Sequence, residues 1–412
     1  MHSSRAGAYI CCHLIHGEPS GRTPDNPSRR KILATALLPT GVPQAGFAIE
    51  QSKKTNQSMS TPNSTDIQAR RPIIIDGLGG ISNTNLGPTD DMPHRGIDAR
   101  ALSDAHASGL CAFNQTIGYV FGPDEPFEAS VRDIGVWDQL IRNRPHDLLK
   151  VYNGGDIRQA RASGRVGVIL GFQNGAMMGN DAGRAALFGN LGVKVIQLTY
   201  NGRNQLGDGS MVAENRGLSE FGREVVHELN RAGVMVDLSH SGLQTCIDAA
   251  AASAQPIIIS HTGCRAIADL PRNKSDRELR LVAEKGGVVG IYFMPFLAIE
   301  RQPTADDLIA HIEHALQVCG EDHVSIGTDG SVPRVDDMQR YYAELEKEVE
   351  MRRSTGIGAT GERADIVPFL PDLQGPEKFR RLAELLQKRG YKADAIDKLL
   401  GGNFLRLADT VW

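Results

Sequence analysis

From residue 70 onward, short apolar runs alternate with stretches of helical periodicity. Runs rich in β-branched residues stand at Ile73–Ile75, Cys111–Ile117, Val166–Leu170, Val193–Thr199, Val234–Leu238, Pro256–Ser260, Val288–Phe293 and Val324–Gly327. Each has the length and composition of a strand buried on both faces. Between most of them lie amphipathic helices. In residues 218–233, "LSEFGREVVHELNRAG", Phe221, Val225, Val226 and Leu229 share one face, Ser219 stands at the N-cap and Gly233 at the C-terminal stop. Residues 275–287 and 304–320 carry the same kind of pattern. Strands alternating with helices predict parallel pairing, and eight such units predict an α/β fold of the (β/α)8, or TIM barrel, type with insertions. A doubly wound open sheet is the runner-up.

The first 65 residues lack this rhythm and are rich in Ser, Pro, Asn and Gly. Within them, residues 28–48 hold an arginine pair (Arg29, Arg30), a modest apolar run and the small-x-small triplet Gly46-Phe47-Ala48. That order is expected of a twin-arginine export signal. The expected organisation is an export signal over 1–48, a flexible linker over 49–69 and a barrel over 70–412, with the protein exported to the periplasm.

Composition narrows the classes. The chain of 412 residues is 41% hydrophobic and 23% charged, with a net charge of -4. Those values suit a soluble enzyme-sized protein and leave no basic footprint for nucleic acid. No apolar stretch reaches the roughly 18 residues of a membrane-spanning helix. Cys11 and Cys12 fall in the segment to be removed; Cys111, Cys246, Cys264 and Cys319 are widely spaced, without a CxxC pair, and are expected as buried free thiols.

A barrel places its chemistry at the C-terminal ends of its strands. Just past the predicted strands stand Asp76, Gln173, Tyr200-Asn201, His240, His261 and Asp329. One polar residue at a strand end is commonly a turn former. Two histidines after adjacent strands, in "DLSH" and "IISH", are well placed to share one metal ion, commonly zinc. Asp329, in "SIGTDG", then suits a base or the partner of a substrate ammonium. The stretch "GLGGIS" falls short of a dinucleotide fingerprint, because Ser82 stands where G-x-G-x-x-G asks for its third glycine.

The segments "GLSEFGREVVHELNRAGVMVDLSHSG", "PIIISHTGCRAI", "PRNKSDRELRLVAEKGGVVGI", "DHVSIGTDG" and "GGNFLRL" resemble the membrane (renal) dipeptidase family, peptidase family M19. The resemblance runs from about Ile73 to the C-terminus. It implies a (β/α)8 barrel of the amidohydrolase superfamily that holds two zinc ions bridged by a glutamate and cleaves dipeptides, with dimers common. The family's two metal-binding histidines correspond to His240 and His261, its strand-eight aspartate to Asp329, and its carboxylate-binding arginine to Arg272. Three positions depart. The His-x-Asp after strand one becomes Leu78 and Gly80, the bridging glutamate becomes Gln173, and a substrate-facing histidine becomes Tyr200, beside Asn201. Leucine and glycine offer no side-chain lone pair, and an uncharged amide bridges two cations poorly, so at most one metal is expected, or none. His94 and His106 are the nearby histidines that could substitute.

Two functions follow. One is an M19-type metallohydrolase that cleaves a dipeptide or small peptide-like amide at an altered, one-metal site. The other is a periplasmic dipeptidase-like protein without peptidase activity, binding or tailoring a peptide-like metabolite. The insertion at residues 340–373, after the last strand, either covers the mouth or runs out into solvent.

Overall fold

The computed structural model describes residues 72–86 and 96–412. The predicted export signal, the linker and His94 lie outside the described residues. Nine strands make one parallel sheet: β1 (Ile74–Asp76), β2 (Leu110–Thr116), β3 (Leu148–Lys150), β4 (Val166–Phe172), β5 (Val193–Gln197), β6 (Met235–Asp237), β7 (Ile258–Thr262), β8 (Val288–Ile291) and β9 (Val324–Ile326). Eight follow the order β1-β2-β4-β5-β6-β7-β8-β9, while β3 pairs with β4 outside that path. The seam between β9 and β1 is bridged by the Gly77 N–H to Ile326 O at 3.0 Å and the Asp329 N–H to Leu78 O at 2.8 Å. With helices between the strands, this is the expected (β/α)8 barrel.

The helices begin where capping chemistry places them. Ser219 accepts from the Gly222 N–H to start Glu220–Arg231, and Ser275 forms a reciprocal capping box with Glu278 to start Asp276–Glu284. Gly233 then takes φ +60°, the left-handed stop its position calls for.

Strand ends differ from the apolar runs in a consistent way. Asp76 is the last residue of β1, and His261 lies inside β7 rather than just past it. Both find all their partners within the barrel, so their polarity does not end the strand. The strand β3 has three residues, two of them only partly buried, which is too short a run to read from periodicity.

One apolar side chain from each of seven strands, among them Ile75, Ile169, Val195 and Ile258, packs against Phe404, Leu405 and Val411 of the C-terminal helix Asn403–Val411. Arg406 donates to Gly286 O and Trp412 Nε1 to Lys194 O, both at the N-terminal side of the strands. The helix thus closes that end of the barrel and leaves the opposite end for chemistry.

Asp76 fixes the seam at the open end. Its carboxylate accepts from the Thr328 N–H at 2.7 Å and the Thr328 hydroxyl at 2.6 Å. Burial pushes its pKa up to about 6, against the opposing pull of Lys378 and these hydrogen bonds. The folded chain therefore keeps a proton that the unfolded chain releases near its ordinary 3.8. That contribution is fully present below the unfolded value and is lost as pH rises through the folded one. Asp76→Asn is expected to flatten this part of the stability profile by up to about 3 kcal/mol. Urea denaturation of both proteins across that pH interval checks it; parallel profiles would contradict it.

Candidate active site

The ends of β6 and β7 bring two imidazoles together. His240 Nε2 and His261 Nε2 are 3.0 Å apart, and both side chains are buried. Each ring is held from behind. His240 Nδ1 meets Asn201 Oδ1 at 2.7 Å, and the Asn201 amide N–H donates in turn to Ile357 O at 2.9 Å. His261 Nδ1 meets Ser260 Oγ at 2.9 Å. Behind Ser260 lies Asp237, fully buried, whose Oδ1 accepts from the Ser239 hydroxyl and from the Ser239 and Ser260 backbone N–H groups. Its Oδ2 accepts from the Ser260 hydroxyl at 2.5 Å.

This network allows two assignments of its hydrogens. With Asp237 ionised, Ser260 donates to it and accepts from His261 Nδ1–H, so both Nε2 lone pairs face one another. Such an arrangement asks for a cation or a donor at the rings, and the Arg272 guanidinium lies 3.3 Å from His240 Nε2. With Asp237 protonated, the hydrogens shift one step along the chain, and His261 Nε2–H donates to His240 Nε2. Burial raises the Asp237 carboxyl, and its four hydrogen bonds oppose that rise. Burial, followed by the field of Arg272, holds both imidazoles well below the usual histidine range. Neutral rings are the form that binds metal, and a carboxylate acting through a hydroxyl on the far nitrogen is how metal-binding histidines are commonly oriented.

Around the pair, the other expected residues line one pocket. It includes Gln173, Tyr200, Asn201, His240, Arg272 and Asp329. Asp329 Oδ2 is 3.9 Å from His261 Nε2. Asp329 takes φ +53°, tolerable for aspartate, and burial pushes its pKa up to about 7 although Arg272 and Arg352 pull it down. Gln173 spends its amide N–H on Thr116 Oγ1 at 2.7 Å, leaving the carbonyl oxygen as its ligand atom. Arg272 is buried, donates to Ser239 O at 2.8 Å and lies 3.3 Å from His240 Nε2. Tyr200 stacks on His240 with 4.3 Å between centroids.

The site gathers groups able to bind a metal ion: two imidazoles, a carboxylate and an amide carbonyl. Two nitrogens of a tetrahedral zinc lie roughly 3.3 Å apart, close to the separation of the imidazole pair, and the Asp329 and Gln173 oxygens are at hand. On the β1 side, Leu78 is buried without a lone pair and Gly80 has no side chain. Among the described residues, no group of three His, Cys, Asp or Glu side chains is already gathered around one point. His106 does not substitute: its ring lies 3.1 Å from Asp147, and both side chains are about a third exposed.

Several functional groups escaped the sequence. The insertion is a cover: helix Met338–Ser354 and the loop after it supply Leu345, Val349, Arg352, Glu362 and Ile366 to the pocket wall. Arg352 makes two hydrogen bonds to Glu362, at 2.9 and 2.8 Å, and a third to the Tyr200 hydroxyl at 3.3 Å. The four cysteines among the described residues are buried free thiols.

Comparison with known proteins agrees with this fold. The family model for membrane dipeptidases, peptidase family M19, matches residues 104–356. Dipeptidase verJ of Clonostachys rogersoniana is 29% identical over 289 residues, covering 70% of this chain and 66% of that protein, just under two thirds of its length. An amidohydrolase from Pseudomonas aeruginosa superposes with a TM-score of 0.70 at 30% identity, over 85% of this chain and 99% of that one. A metallopeptidase from Rhodobacter sphaeroides, solved with a phosphinate mimic of the dipeptide L-Ala-D-Ala, shares the fold. It gives a TM-score of 0.64 at 20% identity, over 83% of this chain and 100% of that one.

Proposed function

The chain belongs to the membrane dipeptidase family, peptidase family M19, and on that premise we propose a metallohydrolase that cleaves a dipeptide or similar small peptide-like amide with a single metal ion. The observation that carries this reading is the pair of converging Nε2 atoms of His240 and His261, each backed by an oxygen acceptor. Zinc bound there, with the Gln173 carbonyl as a further ligand, would polarise the scissile carbonyl and bring the pKa of a bound water to about 7.

The remaining work falls to side chains. The Arg272 guanidinium is held by Ser239 O at the pocket wall, where its planar fork suits the substrate carboxylate. Asp329, whose Oδ2 lies 3.9 Å from His261 Nε2, is placed to take a proton from water and return it to the leaving amine. Tyr200, stacked on His240 and bonded to Arg352, walls the imidazoles from solvent beneath the cover. Arg272→Lys keeps the charge and loses the fork. It is expected to raise KM about tenfold or more while leaving kcat within about threefold. Steady-state kinetics on a dipeptide check this, and an unchanged KM would remove Arg272 from carboxylate binding.

One observation favours the second reading, a binding or tailoring protein without peptidase chemistry. The Arg272 guanidinium lies 3.3 Å from the nitrogen a metal would need, and a fixed cation there opposes a second one. Elemental analysis of the purified protein, paired with hydrolysis of a dipeptide panel, separates the two. Bound zinc with turnover supports the hydrolase; no metal and no turnover supports the alternative.

A further inference from the structure

On the β1 side of Asp329, a second pocket opens beside Gly80, one of the changed ligand positions. Gly80, Gln115, Asp329 and Lys378 line its polar side, and residues such as Phe369 and Leu370 its apolar side. Three features define what it takes. Gln115 is buried near the end of β2; its amide N–H donates to Thr116 O at 2.8 Å, and its Oε1 has no hydrogen-bond donor among the described residues. A Cβ built at Gly80 would stand 3.4 Å from that oxygen, so the unpaired acceptor faces the room that the missing side chain leaves. Lys378, also buried, donates to Ser331 O at 3.0 Å and brings a fixed positive charge to the same pocket.

Those features select a ligand. A buried acceptor without a donor calls for an N–H or O–H. The apolar wall calls for a hydrocarbon body. A cationic group would meet the Lys378 ammonium, and Arg272 and Arg352 add their positive field at Asp329. The pocket shares Asp329, 3.9 Å from His261 Nε2, with the one containing Arg272 and His240, so the two meet beside the imidazole pair.

We infer that the β1-side pocket binds the side chain or acyl body on the amino side of the substrate, an uncharged, largely apolar group whose single N–H or O–H meets Gln115 Oε1. The orientation of the substrate rests on the hydrolase reading; the pocket's preference does not. A side chain at position 80 would reach into this region, so the room belongs to the glycine that this chain carries there.

Titration calorimetry with four glycine conjugates tests it: 4-hydroxybenzoyl-glycine, benzoyl-glycine, 4-methoxybenzoyl-glycine and the cationic 4-(aminomethyl)benzoyl-glycine. The hydroxy compound is expected to bind about tenfold tighter than each of the others. Gln115→Leu should erase the difference, and Gln115→Glu, which keeps an acceptor in place, should retain it. Gly80→Val, by filling the pocket, should weaken all four. Equal binding of the four by the unaltered protein, binding of none, or an undiminished preference in Gln115→Leu would overturn the inference. Hydrolysis of the same compounds and of dipeptides, followed separately by chromatography, keeps the two claims apart. Preference without turnover leaves the pocket standing and removes the peptidase. Turnover without preference does the reverse.

Discussion

Replacing His240 by alanine is expected to abolish zinc binding and hydrolysis together. Zinc content should fall from about one per chain to none, and kcat/KM by about a thousandfold or more, since polarising the carbonyl and activating water are worth several kcal/mol. The expectation follows from geometry. His240 and His261 supply the two converging nitrogens of the site, and one imidazole with a carboxylate 3.9 Å away does not hold an ion on its own. The variant should still fold. His240 stands in the loop beyond β6, with Asn201 and Arg272 as its polar partners, whereas His261 is embedded in β7 on the Asp237 network. His240→Ala is therefore the cleaner probe. Retained zinc would place the metal elsewhere, and retained activity without zinc would end the metallohydrolase account.

The triple variant Leu78→His, Gly80→Asp, Gln173→Glu is expected to raise zinc content from about one to about two per chain. It returns one imidazole and two carboxylates to positions where the present chain carries neither. The added negative charge offsets the repulsion between two adjacent dications, which the present donors cannot do. Space is available at position 80, where the nearest atom to a new Cβ is Gln115 Oε1 at 3.4 Å. At position 173, a glutamate loses the amide donation to Thr116, but the Thr116 hydroxyl can donate to the carboxylate instead. Opposing the change are the buried cations Arg272 and Lys378. If zinc content measured by atomic emission stays at one, then either those cations hold the electrostatic place of the second ion or the strand-one alignment is wrong. Adding Lys378→Met to the triple variant would tell these apart.

How far the sequence carried this picture depended on where each signal was written. The barrel was legible because its strands are buried on both faces and so stand out as continuous apolar runs. The strand β3, half-exposed and three residues long, left no such mark. His240, His261 and Asp329 were legible because the fold concentrates chemistry at strand ends, where a polar residue after an apolar run is conspicuous. Arg272 was not legible in that way; its role came from the family resemblance alone. Asp237 and Ser260 were hidden inside strands, where they pass for ordinary alternation until the sheet brings them to His261. Gln115 lay within an apolar run for the same reason. Arg352, Glu362 and Lys378 sit far along the chain, in or beside charged helices that usually face solvent. Only the path of the insertion over the mouth turns Arg352 and Glu362 toward Tyr200 and the pocket.

The central claim is a one-metal hydrolase, and zinc stoichiometry measured on the same sample as dipeptide turnover tests it most directly. The account predicts about one zinc per chain at saturation, with turnover lost on chelation and restored by zinc. A chain that binds no metal at saturating zinc and turns over none of a broad dipeptide panel would contradict it.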